Sequence, residues 1–578
     1  MALLEIKNLT YHYPDTEEPA LSRIDLSIKE GEFVVVAGGS GSGKSSLARA
    51  IAGLIPDFYG GRIGGSIKLE GRELKEINRA KLAQKIGIVF QDPENQLIMT
   101  NVEQELVFGM ENLGLPHARM KKAVMEMSGA LSLYPFLKSN ITQLSGGLKQ
   151  KVALASVLAL QPDILILDEP TSQLDPVAGE EILTILRRMN EENGITVILI
   201  EHRLERCLHL ADRIIFMEKG RIVHDGQNIR DALKKAFDKG DPFITPLAKL
   251  FAAAGSKQIP LTIKEGREII RQAKSEKPEL SWSFDSEPVT TKNTSDIEQL
   301  QEKTAEKIYA NNTPLLEVER LWFTYENGQE TLKDISLKIY PAEFLIIMGE
   351  NTAGKTTLLK NIRGLLHPSR GNVTISGRSV QDMTVEEQAT KVGYLAQNPN
   401  DYLFRPSVRE EILFTLKNLG MEKDADIEDL MEKFILKDHA DYNPRDLSTG
   451  ERQRVAMASV LAANPPLVLL DEPTRGLDNQ MKAILGRVLR SLQEKGHGII
   501  VVTHDVEFAA EYGEKIILMS GGQIIAQGEK HMILSESTFY SPQTGKLFHD
   551  IDNSVLTISE GVQALTKIVF RGGIKVVS

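Results

Sequence analysis

A series of short segments occurs twice in this chain, in the same order and at nearly the same spacing. LTYHYP around Tyr11 returns as LWFTYE around Phe323, and GGSGSGKSS at 38–46 returns as GENTAGKTT at 349–357. FQDPENQ returns as AQNPNDY, LSGGLKQ as LSTGERQ, and ILILDEPTSQLD as LVLLDEPTRGLD. His202 and His504 close the two series. A period of about 300 residues is far too long for a solenoid, so the chain is committed to two tandem copies of one fold. The first copy spans 1–229 and the second 314–529. Residues 230–313 form an extension and linker, and 530–578 a second extension. Between 252 and 313 the periodicity is weak and 9 basic residues face 10 acidic ones, which reads as a solvated, partly disordered linker. Each extension carries a post-proline Leu-Phe pair, Leu250-Phe251 and Leu547-Phe548. Pattern alone leaves open whether these pack on their own copies or clasp the two together.

Composition narrows the partners. The net charge is −11, which argues against generic nucleic-acid binding. The single cysteine, Cys207, excludes an intrachain disulfide and a multi-cysteine zinc site. The longest uncharged run, Val455 to Leu470, is broken by Pro465-Pro466 and is too short to cross a bilayer. The N-terminus lacks the pattern of a signal peptide. A cytoplasmic protein is expected, with any membrane role supplied by other subunits.

Phe33 to Ala37 is a β-branched apolar run followed at once by Gly38, Gly39, Ser40, Gly41, Ser42, Gly43, Lys44, Ser45 and Ser46, and then by a helical pattern. This strand–loop–helix order is what a phosphate-binding loop requires. Its backbone N–H groups curl around phosphate oxygens and the helix N-terminus adds positive potential. Lys44 is expected on the β- and γ-phosphates and the Ser45 hydroxyl on Mg²⁺. In the second copy Gly349, Glu350, Asn351, Thr352, Ala353, Gly354, Lys355, Thr356 and Thr357 repeat the arrangement, with Lys355 and Thr356 in those roles. Asp168-Glu169 and Asp471-Glu472 each end an apolar strand, at the sheet edge where ligands bind. Asp168 and Asp471 are candidates for Mg²⁺, directly or through water. Glu169 and Glu472 are candidates to act on an attacking water as general base or orienting group.

With the segments LSGGLKQ and LSTGERQ ahead of the acidic strands, the series resembles the motif set of ATP-binding-cassette (ABC) ATPases over both copies. The resemblance implies an α/β P-loop NTPase fold, with two tandem cassettes each holding a RecA-like core and a helical subdomain. It implies ATP and Mg²⁺ as cofactors. It makes Gln91 and Gln397 metal-site residues that couple to a partner, and places His202 and His504 on the γ-phosphate. Tyr13 and Tyr325, or Tyr11 and Phe323, would stack on adenine. Asp175 and Asp478 would lie between the cassettes. In this family the sites are shared, so Ser145, Gly146 and Gly147 would close on ATP held by Lys355. Ser448 and Gly450 would close on ATP held by Lys44. Thr449 and Thr352 depart from the family's glycines. Where backbone needs φ > 0 a β-branched residue is costly, which predicts two hydrolysing sites of unequal strength.

The segments QDPENQ and QNP, and the helices after them, resemble energy-coupling-factor (ECF) transporter ATPases. That resemblance implies an importer for a vitamin or metal ion, thiamine or its hydroxymethylpyrimidine precursor among the candidates. It also implies a transmembrane coupling subunit, a separate substrate-binding membrane subunit and a peripheral location on the cytoplasmic membrane face. The two cassettes would pair within one chain and no nucleic acid would be bound. Glu103, Glu105, Glu410 and Glu411 would offer carboxylates to arginines of the coupling subunit. The alternatives are a ribosome-associated twin cassette, disfavoured by the near-neutral linker, and a fused sugar-importer ATPase, disfavoured by the Q-[DN]-P segment.

Overall fold

The computed structural model describes residues 2–14, 16–172, 174–240, 243–276, 313–421, 427–549 and 551–569. They fall into two compact units, the first running to Gly266 with Leu477–Asn479 added to it, the second taking Arg267–Gly476 and the chain from Gln480 on.

In the first unit the β-branched run becomes the strand β3 (Phe33–Gly38), buried at all six positions. It sits in a six-stranded sheet ordered β10-β9-β3-β8-β7-β6, whose other members are β6 (Ile86–Val89), β7 (Ile164–Asp168), β8 (Thr196–Ile200), β9 (Arg213–Glu218) and β10 (Arg221–Gly226). Strands β6, β7, β8, β3 and β9 run parallel, and β10 returns antiparallel. Continuous apolar strands of this kind suit a sheet covered on both faces. An antiparallel sheet, ordered β2-β1-β4-β5, packs beside it and is built from β1 (Ala2–His12), β2 (Leu21–Lys29), β4 (Arg62–Leu69) and β5 (Arg72–Glu73). Here burial alternates along β2, as one solvated face requires. Leu4, Ile6 and Ile24 of this sheet share a core with Val34, Ile166 and Ile198 of the parallel one. Helices Val102–Asn112, His117–Ala130 and Gly146–Leu158 pack on one another as a helical subdomain.

The second unit repeats the plan. Its antiparallel sheet is ordered β12-β11-β14-β15 and its mixed sheet β16-β17-β18-β13-β19-β20. These strands are β11 (Leu316–Thr324), β12 (Glu330–Ile339), β13 (Phe344–Gly349), β14 (Arg370–Ile375), β15 (Arg378–Ser379), β16 (Val392–Leu395), β17 (Leu467–Asp471), β18 (Gly498–Val502), β19 (Lys515–Ser520) and β20 (Gln523–Glu529). Helices Val408–Asn418, Ile427–Lys433 and Thr449–Leu461 form the second helical subdomain. Two cassettes, each with a parallel core and a helical subdomain, are therefore present as expected.

The linker expectation needs correcting in part. Residues Ile263–Glu276 form a helix, started by Thr262, whose Oγ1 accepts the Glu265 N–H at 3.2 Å. The Glu265 carboxylate accepts the Leu261 N–H at 2.9 Å, and Ile270 is buried. Thr262-x-x-Glu265 is a start signal legible in the sequence, hidden by the weak apolar periodicity around it. The disorder expected for 277–312 falls outside the described residues. Leu250, Phe251, Leu547 and Phe548 are all buried. Among the described residues no helix is long and apolar enough to cross a membrane.

Candidate nucleotide site

Each phosphate-binding loop lies between a central strand and a helix, at the same edge of its sheet as the acidic pair. In the first copy the helix is Lys44–Ile51, and Lys44 Nζ donates to the carbonyls of Gly38 at 2.8 Å and Gly39 at 2.7 Å. It also reaches Ser42 Oγ at 3.4 Å. In the second copy the helix is Lys355–Ile362, and Lys355 Nζ donates to the Gly349 carbonyl at 2.9 Å and the Glu350 carbonyl at 2.7 Å. Burial lowers the pKa of Lys44 and the carboxylates of Glu169 and Asp168 oppose that fall.

The parallel register brings the remaining groups to this edge. Asp168 pairs with Ile200 across β7 and β8, and Asp471 with Val502 across β17 and β18. The glutamates and histidines just beyond those pairs therefore meet. His202 Nε2 lies 2.9 Å from Glu169 Oε1, and His504 Nε2 lies 3.3 Å from Glu472 Oε1. Gln91 Nε2 donates to Glu169 Oε2 at 2.8 Å. Glu169 and Glu472 hold φ of 50° and 51°, left-handed backbone that costs a non-glycine residue of order 1–3 kcal/mol. Their N–H groups still bond strand β8 or β18, to the carbonyls of Ile200 and Val502, both at 2.9 Å. The kink turns each glutamate away from the strand line while the sheet stays intact. No sequence pattern announced this strain; it is visible only once the strand end is built.

The two acids of the first pair are shifted in opposite directions. Burial pushes Asp168 up to about 6, and the neighbouring Glu169 charge adds to the rise. Burial also opposes ionisation of Glu169, but His202, Lys44 and Gln91 outweigh it and hold that carboxyl at about 2. Burial raises Asp471 to about 6 despite Thr356 and Lys355. Asp168 Oδ1 and Asp471 Oδ1 are buried without a protein hydrogen-bond partner. A buried orphaned carboxylate oxygen beside the Ser45 or Thr356 hydroxyl fits a hard divalent cation such as Mg²⁺.

Other expected residues are distributed unevenly. Gln397 is exposed, unlike its half-buried counterpart Gln91. Tyr11 and Phe323 lie in the buried cores, which leaves the half-buried Tyr13 and Tyr325 as the accessible rings. Ser145 and Ser448 N-cap the helices Gly146–Leu158 and Thr449–Leu461, accepting the N–H groups of Leu148 and Glu451 at 3.4 Å. The Ser448 backbone N–H in turn donates to Glu451 Oε2 at 2.8 Å, a reciprocal cap that Leu148 cannot supply in the first copy. Asp175 caps the helix Pro176–Asn193 through the Ala178 N–H at 2.9 Å, and Asp478 is buried.

The strain argument survives at one of its two positions. Gly41 has φ 73° and Thr352 has φ 76°, so Thr352 occupies backbone that favours glycine. Thr449 does not. It is the first residue of the helix Thr449–Leu461, as Gly146 is of Gly146–Leu158, and a helix start accepts any L-residue. A Cβ at Gly41 meets nothing within 4 Å, so the cost at Thr352 is backbone strain rather than a clash. Thr352→Gly should raise the stability of the second unit by about 1 kcal/mol, read as a higher melting temperature. A lower melting temperature would show that the threonine side chain holds the loop.

The docking expectation is half corrected. Glu105 and Glu411 are buried and unavailable to a partner. Glu105 Oε2 accepts the N–H groups of Ile98 at 2.9 Å and Met99 at 2.7 Å; Glu411 Oε2 accepts those of Phe404 at 2.6 Å and Arg405 at 2.7 Å. Both carboxylates pin the loop ahead of their helices. Glu103 and Glu410 are exposed. The Q-[DN]-P-x-x-Q segment also has a local structural role. Asp92 and Asn398 accept the N–H groups of Glu94 and Asn400, both at 3.1 Å. Gln96 accepts from Phe90 N at 3.0 Å and donates to the Ile88 carbonyl at 3.1 Å. In the second copy the Tyr402 hydroxyl does both, with Ala396 N and the Tyr394 carbonyl at 2.9 Å each.

The fold and this duplicated edge define a twin-cassette P-loop nucleotide hydrolase. The family model described as ABC transporter matches residues 21–172 and 332–475, and the chain belongs to that family. A Clostridium tetani protein provisionally named an ABC transporter ATP-binding protein is 40% identical over 456 residues, covering 78% of this chain and 97% of that one. A Bacillus anthracis protein with the same provisional name is 37% identical over 545 residues, 94% of each chain. Among solved structures, cbiO1 from Clostridium perfringens, described as part of the ABC transporter complex cbiONQ, is 30% identical. It covers 48% of this chain and 96% of its own, with a TM-score of 0.37. The chain is an ATP-binding subunit of the ABC transporter class, and ATP hydrolysis coupled to transport is the activity of that class.

Proposed function

We propose that this chain energises an ECF-type importer for a vitamin or metal ion, docked peripherally on a transmembrane coupling subunit that works with a substrate-binding membrane subunit. Lys44 and Lys355 bind the β- and γ-phosphates. Ser45, Asp168 and Gln91 would hold Mg²⁺ in the first copy, and Thr356, Asp471 and Gln397 in the second. The ion would supply charge neutralisation at the phosphates. Glu169, ionised at neutral pH, accepts a hydrogen bond from the attacking water and orients it; Glu472 has that role in the second copy. His202 and His504 hold these carboxylates and face the γ-phosphate. Tyr13 and Tyr325 stack on adenine. The helix starts that follow Ser145 and Ser448 offer N–H groups to a nucleotide phosphate, and the cycle of ATP binding and hydrolysis drives transport.

The observation that carries the importer reading is a repeated apolar knob beside each Q-[DN]-P segment. Ile98 is 68% exposed and Phe404 is 63% exposed. Each stands where a buried glutamate clamps its backbone, with an exposed acid, Glu103 or Glu410, on the following helix. An exposed apolar tip with a carboxylate on the following helix suits a basic, amphipathic coupling helix. Ile98→Asp together with Phe404→Asp should reduce co-purification of integral membrane proteins by about tenfold or more, with ATPase activity of the soluble chain retained. Undiminished co-purification would remove the docking surface from this face, and ribosomal subunits in place of membrane proteins would overturn the importer reading.

A further inference from the structure

The base end of the first phosphate-binding helix carries a group of residues that the second copy lacks. Arg49 lies on the helix Lys44–Ile51, and its Nη1 donates to the Tyr13 hydroxyl at 2.8 Å. The same guanidinium lies over the Tyr59 ring, 4.5 Å from its centroid. Tyr13 is further held by Ser46 Oγ at 3.2 Å and by the edge of Tyr11, with ring centroids 4.9 Å apart. The loop bearing Tyr59 is itself anchored, because the Tyr11 hydroxyl donates to the Gly60 carbonyl at 2.8 Å. Gly61 has φ 90°, and a Cβ there would stand 2.1 Å from the His12 carbonyl, so this close approach needs glycine. Arg49 Nε is buried without a hydrogen-bond partner, so the guanidinium is held by its two aromatic neighbours. Tyr59 remains 40% exposed.

At the matching positions the second copy has Lys360 for Arg49 and Phe323 for Tyr11, and its connection to β14 is shorter and has no aromatic pair. Tyr325 keeps the hydroxyl contact, to Thr357 Oγ1 at 3.1 Å, and the edge contact, to Phe323 at 4.8 Å. Phe323 has no hydroxyl with which to anchor a loop. A lysine ammonium is a point charge and cannot both donate in the plane of a fork and stack its face on a ring.

We propose that Arg49 is a positioning residue that presets Tyr13 for base stacking, with Tyr59 as a second aromatic wall, so that the first site selects adenine nucleotides more tightly than the second. This rests on the reading above that the first loop binds ATP with Tyr13 at the base. A ring already held by its hydroxyl loses less freedom on stacking, and that saving appears as affinity. The effect acts on the base and leaves the phosphates untouched.

The test uses the full chain carrying Glu169→Gln and Glu472→Gln, which prevents turnover during calorimetric titration. ATP and inorganic tripolyphosphate are the two probes. Lys44→Ala marks the first site by removing its share of ATP binding. Arg49→Lys should weaken ATP at the first site by about five- to tenfold and leave tripolyphosphate unchanged. Tyr59→Leu should weaken ATP in the same base-dependent way, and Tyr59→Phe, which keeps the face under the guanidinium, should restore it. An equal loss for ATP and tripolyphosphate in both Arg49→Lys and Tyr59→Leu would mean that these residues only prop the phosphate-binding helix, overturning the proposal. Unchanged ATP affinity would overturn it too. If Lys44→Ala removes no ATP binding, the underlying reading of the first loop fails, whatever Arg49 does.

Discussion

A chain carrying Glu169→Gln or Glu472→Gln alone is expected to keep hydrolysing ATP, at two different reduced rates, while the double variant loses at least about 100-fold in kcat. The change is nearly isosteric and removes only the charge that orients the attacking water. In the wild type His202, Lys44 and Gln91 keep Glu169 ionised against its burial, and at about 2 its pKa leaves it charged at any working pH. Glutamine keeps the volume and the strained position but accepts a weaker hydrogen bond. ATP binding should therefore survive in all three variants, which separates lost chemistry from lost folding. Unequal residual rates are expected because the copies differ in built ways. Thr352 strains the second loop, Gln397 is exposed where Gln91 is tied to Glu169, and the histidine–glutamate contact is longer in the second copy. Complete loss in one single variant with no loss in the other would show that one site is not catalytic.

Lys44→Ala combined with Lys355→Ala is expected to lower ATP affinity by about 100-fold or more and abolish ATP-driven uptake in reconstituted vesicles. Each ammonium is buried at the mouth of its loop and bonded to two backbone carbonyls. Removing it takes away the charge that meets the phosphates and leaves those carbonyls to water. A retained melting temperature would assign the loss to binding. Uptake that persists in the double variant would refute the assignment of the driving site. The same vesicles, scanned across vitamins and metal ions, would identify the cargo.

Much of the site was legible in the sequence because phosphate binding depends on local backbone. A glycine-rich turn between a buried strand and a helix needs few residues, and its lysine and hydroxyl follow at fixed positions. The acidic pair and the histidine were legible by their repeated spacing, although the contact between them was not. Glu105 and Glu411 show where this kind of reading fails. As residues on a charged helix start they looked like solvated or docking acids, yet each is buried and satisfies two loop N–H groups. Periodicity cannot separate an acid that faces solvent from one that turns back on its own loop. Thr449 fails for a related reason: aligned motifs preserve residue order but do not report φ, and a glycine in a family motif is not always a left-handed residue.

By itself, then, the sequence determined that the chain is two copies of one nucleotide-binding fold, which lysines, hydroxyls and acids are the candidates for its sites, and that no described helix need enter a membrane. These depend on repeats, local turns and charge, all of which are properties of neighbours along the chain. Only the tertiary structure decided which tyrosines stay accessible, which glutamates are buried, where the backbone is strained, and that Arg49 joins Tyr13 to Tyr59. Those outcomes depend on parallel strand register and on side chains far apart in sequence competing for the same buried space, and no one-dimensional pattern records that competition.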